Sequence, residues 1–289
     1  MTATTAASDR RLRTFGAWAF GFSWALWLPA GLAARGSVEL PLPAEILTVV
    51  GSFGPMIGAL VAAGRLGGRT EIRGLLARLR LRSTSPRWLL AAIALGSVTA
   101  LPALVFLLTG GDVDRSAALQ HLAVLPLHFL VVGVIGGGLD EELGWRGFAQ
   151  PRLQRQLAPL PATIGLGLIW SVWHLPLWLD PTSAQSAYPF AVYTVVIVGH
   201  AIVTGFLYNA SGGSILVAIA AHSANNAFDG LRYAVLGDAR HELAWQVVLA
   251  GVSIGTAVAV IAGTRGRLGL PSRPAATSPA SAPFLAATA

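Results

Sequence analysis

The chain has 289 residues, of which 54% are hydrophobic and 11% are charged, and its mean hydropathy is +0.63. This composition excludes an ordinary soluble domain, and several apolar runs of about 20 residues predict a multi-pass helical membrane protein. The net charge of +7 is carried by arginines between these runs, which argues against a nucleic-acid partner. The lack of cysteine excludes disulfides, thiolate metal sites and a cysteine nucleophile.

The apolar runs predict about eight transmembrane helices and an all-α fold. In chain order the runs are 14–34, 46–64, 88–108, 122–142, 162–179, 188–208, 214–235 and 244–263. We expect residues 1–13 to form a cytoplasmic N-terminal segment and residues 14–265 to form one transmembrane domain. Residues 266–289 are rich in Pro, Ala and Ser, which predicts a disordered cytoplasmic tail. No soluble domain and no internal repeat is visible.

The arginines predict the orientation of the chain. In an eight-span topology, sixteen of the twenty arginines fall on the side of both termini. The positive-inside rule then places both termini in the cytoplasm, and we expect a multi-pass protein of a bacterial plasma membrane. Residues 65–87 hold seven of these arginines, interleaved with leucines. This segment is either an amphipathic helix on an anionic membrane face or a solvated basic loop.

Three consecutive acids, Asp140, Glu141 and Glu142, end the fourth apolar run. Charge in such a run is costly to bury, which indicates a functional site. On a helix Glu142 and Arg146 are four residues apart, so we expect them to pair, whereas Glu141 points elsewhere. Glu142 is therefore the structural acid and Glu141 the one available for chemistry. The sequence assigns no role to Asp140.

Further polar residues lie at a similar predicted depth on other runs. His174 is in the fifth run, and His222 and Asn226 share one face of the seventh. Counting about 1.5 Å per residue from the basic connectors places Glu141 and these three residues about 14 to 20 Å deep. We therefore expect one polar cavity among helices 4, 5 and 7. This prediction requires the fourth helix to continue past Arg146.

A carboxylate, two imidazoles and an amide suit hydrolysis of a peptide bond. Glu141 can act as a general base on water with the help of His174. His222 and Asn226 can donate hydrogen bonds to the oxyanion that forms at the carbonyl. Glu141, His174 and His222 can instead bind a divalent metal such as zinc. We favour no metal, because Asn226 is a poor zinc ligand and no His-Glu-x-x-His run is present.

Two other classes of function remain open from these residues. The same acids and imidazoles can serve as the relay of a proton-coupled transporter, although no inverted repeat is visible. A non-catalytic immunity or scaffolding protein can keep the cavity without processing a substrate. For His128 and His200 we expect bonds between helices rather than chemistry. Asp229 either lines the cavity or lies at its mouth.

Three motifs carry a resemblance to a known family. They are Glu141-Glu142-Leu-Gly-Trp-Arg146, Trp170-Ser-Val-Trp-His174 and His222-Ser-Ala-Asn-Asn226, in this order on successive apolar runs. Over residues 131–228 the chain resembles the CPBP family of intramembrane proteases, also called the Abi family. This family contains the type II CAAX prenyl proteases and the bacteriocin-processing enzymes.

The resemblance implies an eight-helix intramembrane protease. It implies that Glu141 and His174 activate water, that His222 and Asn226 form the oxyanion site, and that Glu142 and Arg146 support them. Trp170 departs from the family, which more often has Phe at this position. The family is often labelled metalloprotease, so the resemblance leaves the metal open. Bacterial members commonly act on other substrates than prenylated proteins, so the expected substrate is a membrane-anchored or lipidated protein or peptide.

Overall fold

A computed structural model describes residues 3–81 and 84–271 of the chain. These ranges contain twelve α-helices and no strand, which confirms the predicted all-α class. The helices are α1 (Ala3–Ala34), α2 (Ala44–Gly51), α3 (Gly54–Leu76), α4 (Pro86–Gly96), α5 (Leu101–Leu108), α6 (Arg115–Val134), α7 (Leu139–Gly144), α8 (Gln150–Gln156), α9 (Pro159–Trp173), α10 (Phe190–Ala210), α11 (Ile215–Leu236) and α12 (Leu243–Thr264).

Six helical stretches in the described part of the chain are long and apolar enough to cross a membrane. They are Asp9–Ala34, Pro86–Leu108, Arg115–Gln156, Pro159–Leu179, Phe190–Ala210 and Leu243–Thr264. A seventh results if α2 and α3, which meet at a bend of 42°, form one broken span. The chain is therefore a polytopic membrane protein, as predicted, and by length and composition alone six or seven stretches of its described residues qualify as spans, where the sequence analysis expected about eight.

Two of the predicted runs do not qualify as single apolar spans, and each has a physical reason. The second run breaks at Ser52 and Phe53, just before Pro55 in the first turn of α3, where a missing N–H is tolerated. The seventh run does form a helix of 22 residues, α11. Its histidine, asparagines, aspartate and arginine make it too polar to qualify as an apolar span, because such groups are costly in hydrocarbon.

The fourth run is not one helix, as the sequence had suggested. The helix α6 ends at Val134, and a new helix begins at Leu139. Between them Gly136 and Gly137 have φ values of 106° and 122°, a backbone region that favours glycine. The three acids therefore occupy the first turn of α7 instead of the end of a long helix.

Beyond the acids the helical backbone continues to Gln156, as the predicted cavity requires. It passes from α7 through a π-helical turn, Trp145–Ala149, into α8. Pro151 lies in the first turn of α8, so it does not end the helix. π-Helical turns inside α-helices are rare and occur often at functional sites.

Close packing surrounds this acidic segment. The helices α1 and α3 pack against each other, α7 packs against α3, and α11 packs against α4 and α6. Glycines allow the close approach: a Cβ on Gly58 would lie 2.6 Å from the Phe15 carbonyl oxygen on α1. Aromatic rings fill the centre, with Phe15 and Trp145 at 5.4 Å and Trp27 and Trp173 at 4.4 Å between ring centroids.

The basic segment 65–87 is helical through Leu79 within the described residues, with a non-helical glycine at Gly68. Its apolar side packs onto the protein: Leu75 is buried, and Ile72 and Leu79 contact the same core. Most of the predicted tail lies outside the described residues. In the part that is described, Leu268 is buried and its carbonyl accepts a hydrogen bond from the Asn209 amide at 2.9 Å.

Candidate active site

One cavity of about 440 Å³ contains the four residues that the sequence singles out for chemistry. Glu141, His174, His222 and Asn226 all line it, although they come from α7, the end of α9, and α11. The first three are almost completely buried by the surrounding protein. The predicted meeting of these side chains at one hollow is therefore present in the structure.

The Glu141 carboxylate is held by two indole groups. Trp170 donates from Nε1 to Glu141 Oε2 at 2.5 Å, and Trp145 donates to the same oxygen at 3.1 Å. Among the described residues, no hydrogen bond goes to Oε1 of Glu141. This arrangement fixes the carboxylate and leaves one oxygen for a small polar molecule in the cavity. The sequence analysis missed both indole donors.

His174 is oriented by its own helix. Its Nδ1 lies 2.9 Å from the carbonyl oxygen of Trp170, one turn earlier. A carbonyl can only accept, so Nδ1 carries the hydrogen and the neutral ring keeps a lone pair on Nε2. The ring packs against the rings of Trp173 and Tyr193, at 4.6 and 5.5 Å between centroids. His174 therefore presents a fixed proton acceptor.

A buried network links Glu142, Arg146 and His222. The Glu142–Arg146 pair forms as its spacing predicts, with 2.8 Å between Oε1 and Nη1, and both side chains are fully buried. His222 Nδ1 lies 2.8 Å from the same Glu142 oxygen. Arg146 also lies over the Trp170 ring, 4.6 Å from its centroid. Because Glu142 accepts from His222 Nδ1, the Nε2 of that ring is the nitrogen left to act in the cavity.

Asn226 faces the broken connection between α6 and α7. Its Nδ2 donates to the Gly136 carbonyl oxygen at 3.1 Å, and its Oδ1 accepts from Asn225 Nδ2 at 3.1 Å. Asn225 also lines the cavity. A Cβ on Gly137 would lie 2.4 Å from His222 Nε2, so the glycine lets the backbone approach both polar side chains of α11.

Asp140 is the acid to which the sequence assigned no role. It is fully buried and accepts from the backbone N–H groups of Gly136 and Gly137 at 3.0 and 2.9 Å. It also accepts from the Ser52 hydroxyl at 2.6 Å. Asp140 therefore fixes the glycine turn that contacts Asn226 and His222. The run of glycines directly before the acid is the signal that could have indicated this.

The other ionisable residues at the cavity differ in part from expectation. His200 lines the cavity, with its ring centroid 5.3 Å from that of His222, and its hydrogen bond goes to Thr204 on its own helix rather than between helices. His128 also lines the cavity. Asp229 lines it as well and pairs with Arg232 at 2.8 Å.

The side chains do not converge as zinc ligands would. Within residues 3–81 and 84–271, no three His, Asp or Glu side chains come close enough to share a metal ion. The Trp170 indole lies against all three residues of the alternative metal site. Its N–H donates a hydrogen bond to Glu141 Oε2, and its ring centroid is 5.9 Å from that of His174 and 5.4 Å from that of His222. This geometry does not fit a metal held by Glu141, His174 and His222.

Comparison with known proteins places these residues in a family context. Residues 123–228 match a family model described as "Type II CAAX prenyl endopeptidase Rce1-like", and this segment contains all six predicted site residues. The matched segment is a little over a third of the chain, and over this segment the chain is similar to the CAAX protease family. A stretch of 45 residues is 47% identical to "CAAX prenyl protease 2" of Methanococcus maripaludis. This stretch covers 16% of the chain and 17% of that relative, so the chain matches well under two thirds of the relative's length.

Proposed function

We propose that this protein is an intramembrane endopeptidase that hydrolyses a peptide bond of a membrane-anchored protein or peptide. The observation that carries the proposal is the position of Glu141 and His174 at one cavity, inside the segment that matches the CAAX protease family. A carboxylate and a neutral imidazole are the side chains that most often activate water for attack on a carbonyl.

In the proposed reaction, Glu141 and His174 take a proton from a water molecule whose oxygen attacks the carbonyl carbon. The π electrons of the carbonyl move to its oxygen, which becomes an oxyanion. The oxyanion then reforms the C=O double bond while the returned proton goes to the leaving nitrogen and the C–N bond breaks. The products are a carboxylic acid and an amine, and the acid passes its remaining proton to the amine, which gives a carboxylate and an ammonium group. The structural support is that Glu141 Oε1 has no hydrogen bond within the described residues and His174 Nε2 keeps a lone pair.

Asn226 and His222 are the proposed donors to the oxyanion. Asn226 has a second amide hydrogen besides the one that it donates to Gly136. His222 Nε2 can donate only when the ring carries both protons, and Glu142 then accepts a charge-assisted hydrogen bond from Nδ1. In this proposal Glu142 and Arg146 act through His222 and do not touch the substrate.

We propose that the reaction needs no metal, because no three His, Asp or Glu side chains of the described residues converge on one point and the Trp170 indole lies against Glu141, His174 and His222. The test is incubation of the reconstituted protein with EDTA or 1,10-phenanthroline, followed by cleavage measurements. Activity that is unchanged by either chelator supports the proposal. Activity that is lost and then restored by zinc would overturn it.

The proposed substrate carries its own membrane anchor, because the cavity lies among helices that cross the bilayer. The relative from M. maripaludis is named a prenyl protease, so a prenylated C-terminal peptide is a suitable first probe. The direct test uses the full chain in proteoliposomes with a farnesylated, internally quenched peptide. Glu141→Gln and His174→Ala should each abolish cleavage while the melting temperature stays near that of the wild type.

Comparison of membrane proteomes from cells that carry the wild type or Glu141→Gln tests the same proposal without a chosen peptide. We expect one or a few membrane proteins to change their termini in a manner that depends on Glu141. Full cleavage by either site variant, or identical proteomes together with no cleavage of the peptide, would contradict the endopeptidase function.

A further inference from the structure

A second cavity, separate from the candidate active site, lies at the ends of several helices. It has a volume of about 310 Å³ and shares no lining residue with the first cavity. Arg11, Arg78, Arg152 and Arg155 line it together with the single acid Glu71. Four guanidinium groups and one carboxylate leave three positive charges in excess. We name this cavity the arginine pocket.

The one acid of the arginine pocket is fully engaged. Glu71 pairs with Arg11 at 2.7 Å through Oε2 and with Arg152 through Oε1. Arg11 also donates to the Leu66 carbonyl oxygen at 2.9 Å. Glu71 therefore holds two arginines in place but cannot neutralise the whole group. The remaining positive charge favours an anion, because like charges at close range repel each other.

Arg78 and Arg152 are held in fixed positions. Arg78 donates from Nη1 to the Gly147 carbonyl oxygen at 2.9 Å and to the Tyr208 hydroxyl at 3.1 Å. Arg152 is 7% exposed, donates to the Phe148 carbonyl oxygen at 2.6 Å and lies over the Phe148 ring. Its Nε is buried without a hydrogen-bond partner among the described residues. Guanidinium groups that are fixed in this way lose little entropy when they bind a ligand.

The location of the pocket indicates which anions can reach it. Arg11 lies near the start of α1, Arg78 lies in the short turn after α3, and Arg152 and Arg155 lie in α8, with Arg155 in its last turn. These positions are ends of helices on the arginine-rich side of the chain, where the headgroups of the lipids would lie. Guanidinium groups match phosphate oxygens in charge and planar geometry.

We propose that the arginine pocket binds a phosphate group, supplied by the headgroup of an anionic membrane lipid or by free phosphate. The volume of the pocket is large enough to admit a phosphate group together with part of a lipid headgroup. The pocket also joins α1, α3 and α8, and α8 continues from the helix that carries Glu141. A lipid bound here would tie the candidate active-site helix to its two neighbours.

The test measures lipid binding to the purified full chain by native mass spectrometry in a neutral detergent. Phosphatidylglycerol and phosphatidylcholine with the same acyl chains are titrated separately. The variants Arg78→Gln and Arg155→Gln remove charge from the pocket, and Arg73→Gln removes the same charge from an exposed position of α3 outside it. A third arm adds inorganic phosphate as a competitor.

We expect one phosphatidylglycerol to bind in preference to phosphatidylcholine. Each pocket variant should raise its Kd about fivefold, which corresponds to about 1 kcal/mol for each arginine, and Arg73→Gln should leave it unchanged. Displacement by inorganic phosphate identifies free phosphate as a ligand, and binding without displacement identifies the lipid headgroup. Equal affinity for the two lipids, or an equal loss with Arg73→Gln, would overturn the proposal.

Arg155 is exposed, so Arg155→Gln keeps the test valid if Arg78→Gln does not fold. Melting curves of all variants distinguish loss of binding from loss of structure. The measurement requires no peptidase activity. Its outcome is therefore independent of the proposed function.

Discussion

The indole of Trp170 offers the sharpest test of how the candidate active site is built. Trp170→Phe keeps an aromatic ring in a site that is 1% exposed but removes the N–H that lies 2.5 Å from Glu141 Oε2. A hydrogen bond to a charged group contributes about 1.5–3 kcal/mol. If this contribution is needed to position the carboxylate in the transition state, kcat/KM should fall about 10- to 100-fold.

The loss should appear mainly in kcat, because Trp170 positions the carboxylate and is not proposed to bind the substrate. The assay is cleavage of the farnesylated peptide in proteoliposomes, with kcat and KM measured separately. The control is Trp178→Phe, which removes an indole that donates to the Tyr188 carbonyl oxygen at 2.9 Å and does not contact Glu141. Wild-type kcat in Trp170→Phe, with both variants folded, would refute the argument.

Trp145→Phe extends the same test, because Trp145 donates to the same carboxylate oxygen at 3.1 Å. The longer bond should contribute less, so we expect a smaller loss than with Trp170→Phe. In the double variant Glu141 has neither donor, and the two losses should not be additive, since each indole can partly replace the other. Additive losses would indicate that the two indoles act independently.

Three further predictions concern the glycine turn and the orientation of the chain. Gly137→Ala should abolish activity and lower the melting temperature, because the new methyl would lie 2.4 Å from His222 Nε2 and the backbone φ is 122°. The control Gly165→Ala should be tolerated, because a Cβ at Gly165 has no atom within 4 Å. Equal tolerance of both variants would contradict this prediction. Asp140→Asn should destabilise the protein by about 1–3 kcal/mol in thermal unfolding, since an amide cannot accept from all the donors that the carboxylate binds, and an unchanged melting temperature would contradict this. The chain has no cysteine, so single cysteines can report the orientation. The predicted orientation places residue 116 outside the cell and residue 70 in the cytoplasm, so Ser116→Cys should react with an impermeant thiol reagent on intact cells and Thr70→Cys should not. The reverse pattern would contradict the orientation predicted from the arginines.

The parts of the site that depend on local spacing could be predicted from the sequence. The pair of Glu142 and Arg146 follows from a separation of four residues on a helix, and the shared face of His222 and Asn226 follows in the same way. The common depth of Glu141, His174, His222 and Asn226 was inferred from the rise per residue alone, and all four line one cavity. The roles of these residues remain predictions.

The parts that depend on contacts between distant segments could not be predicted. The bonds from Trp145 and Trp170 to Glu141 depend on the rotation of α9 against α7, which no local pattern specifies. The break before α7 was missed because glycines within an apolar run are also typical of close helix packing. Only their positive φ values distinguish a turn from a packed helix, and these appear only in the folded chain.

The polarity of α11 has a consequence for biogenesis. A helix with His222, Asn226 and Arg232 enters hydrocarbon poorly by itself, since each ionised residue near the centre of a helix raises the insertion free energy by about 2.5–3.5 kcal/mol. In the folded chain these side chains bind Glu142, the Gly136 carbonyl and the Tyr188 hydroxyl. All of these partners precede α11 in the sequence, so the ribosome delivers them to the translocon before the helix that needs them.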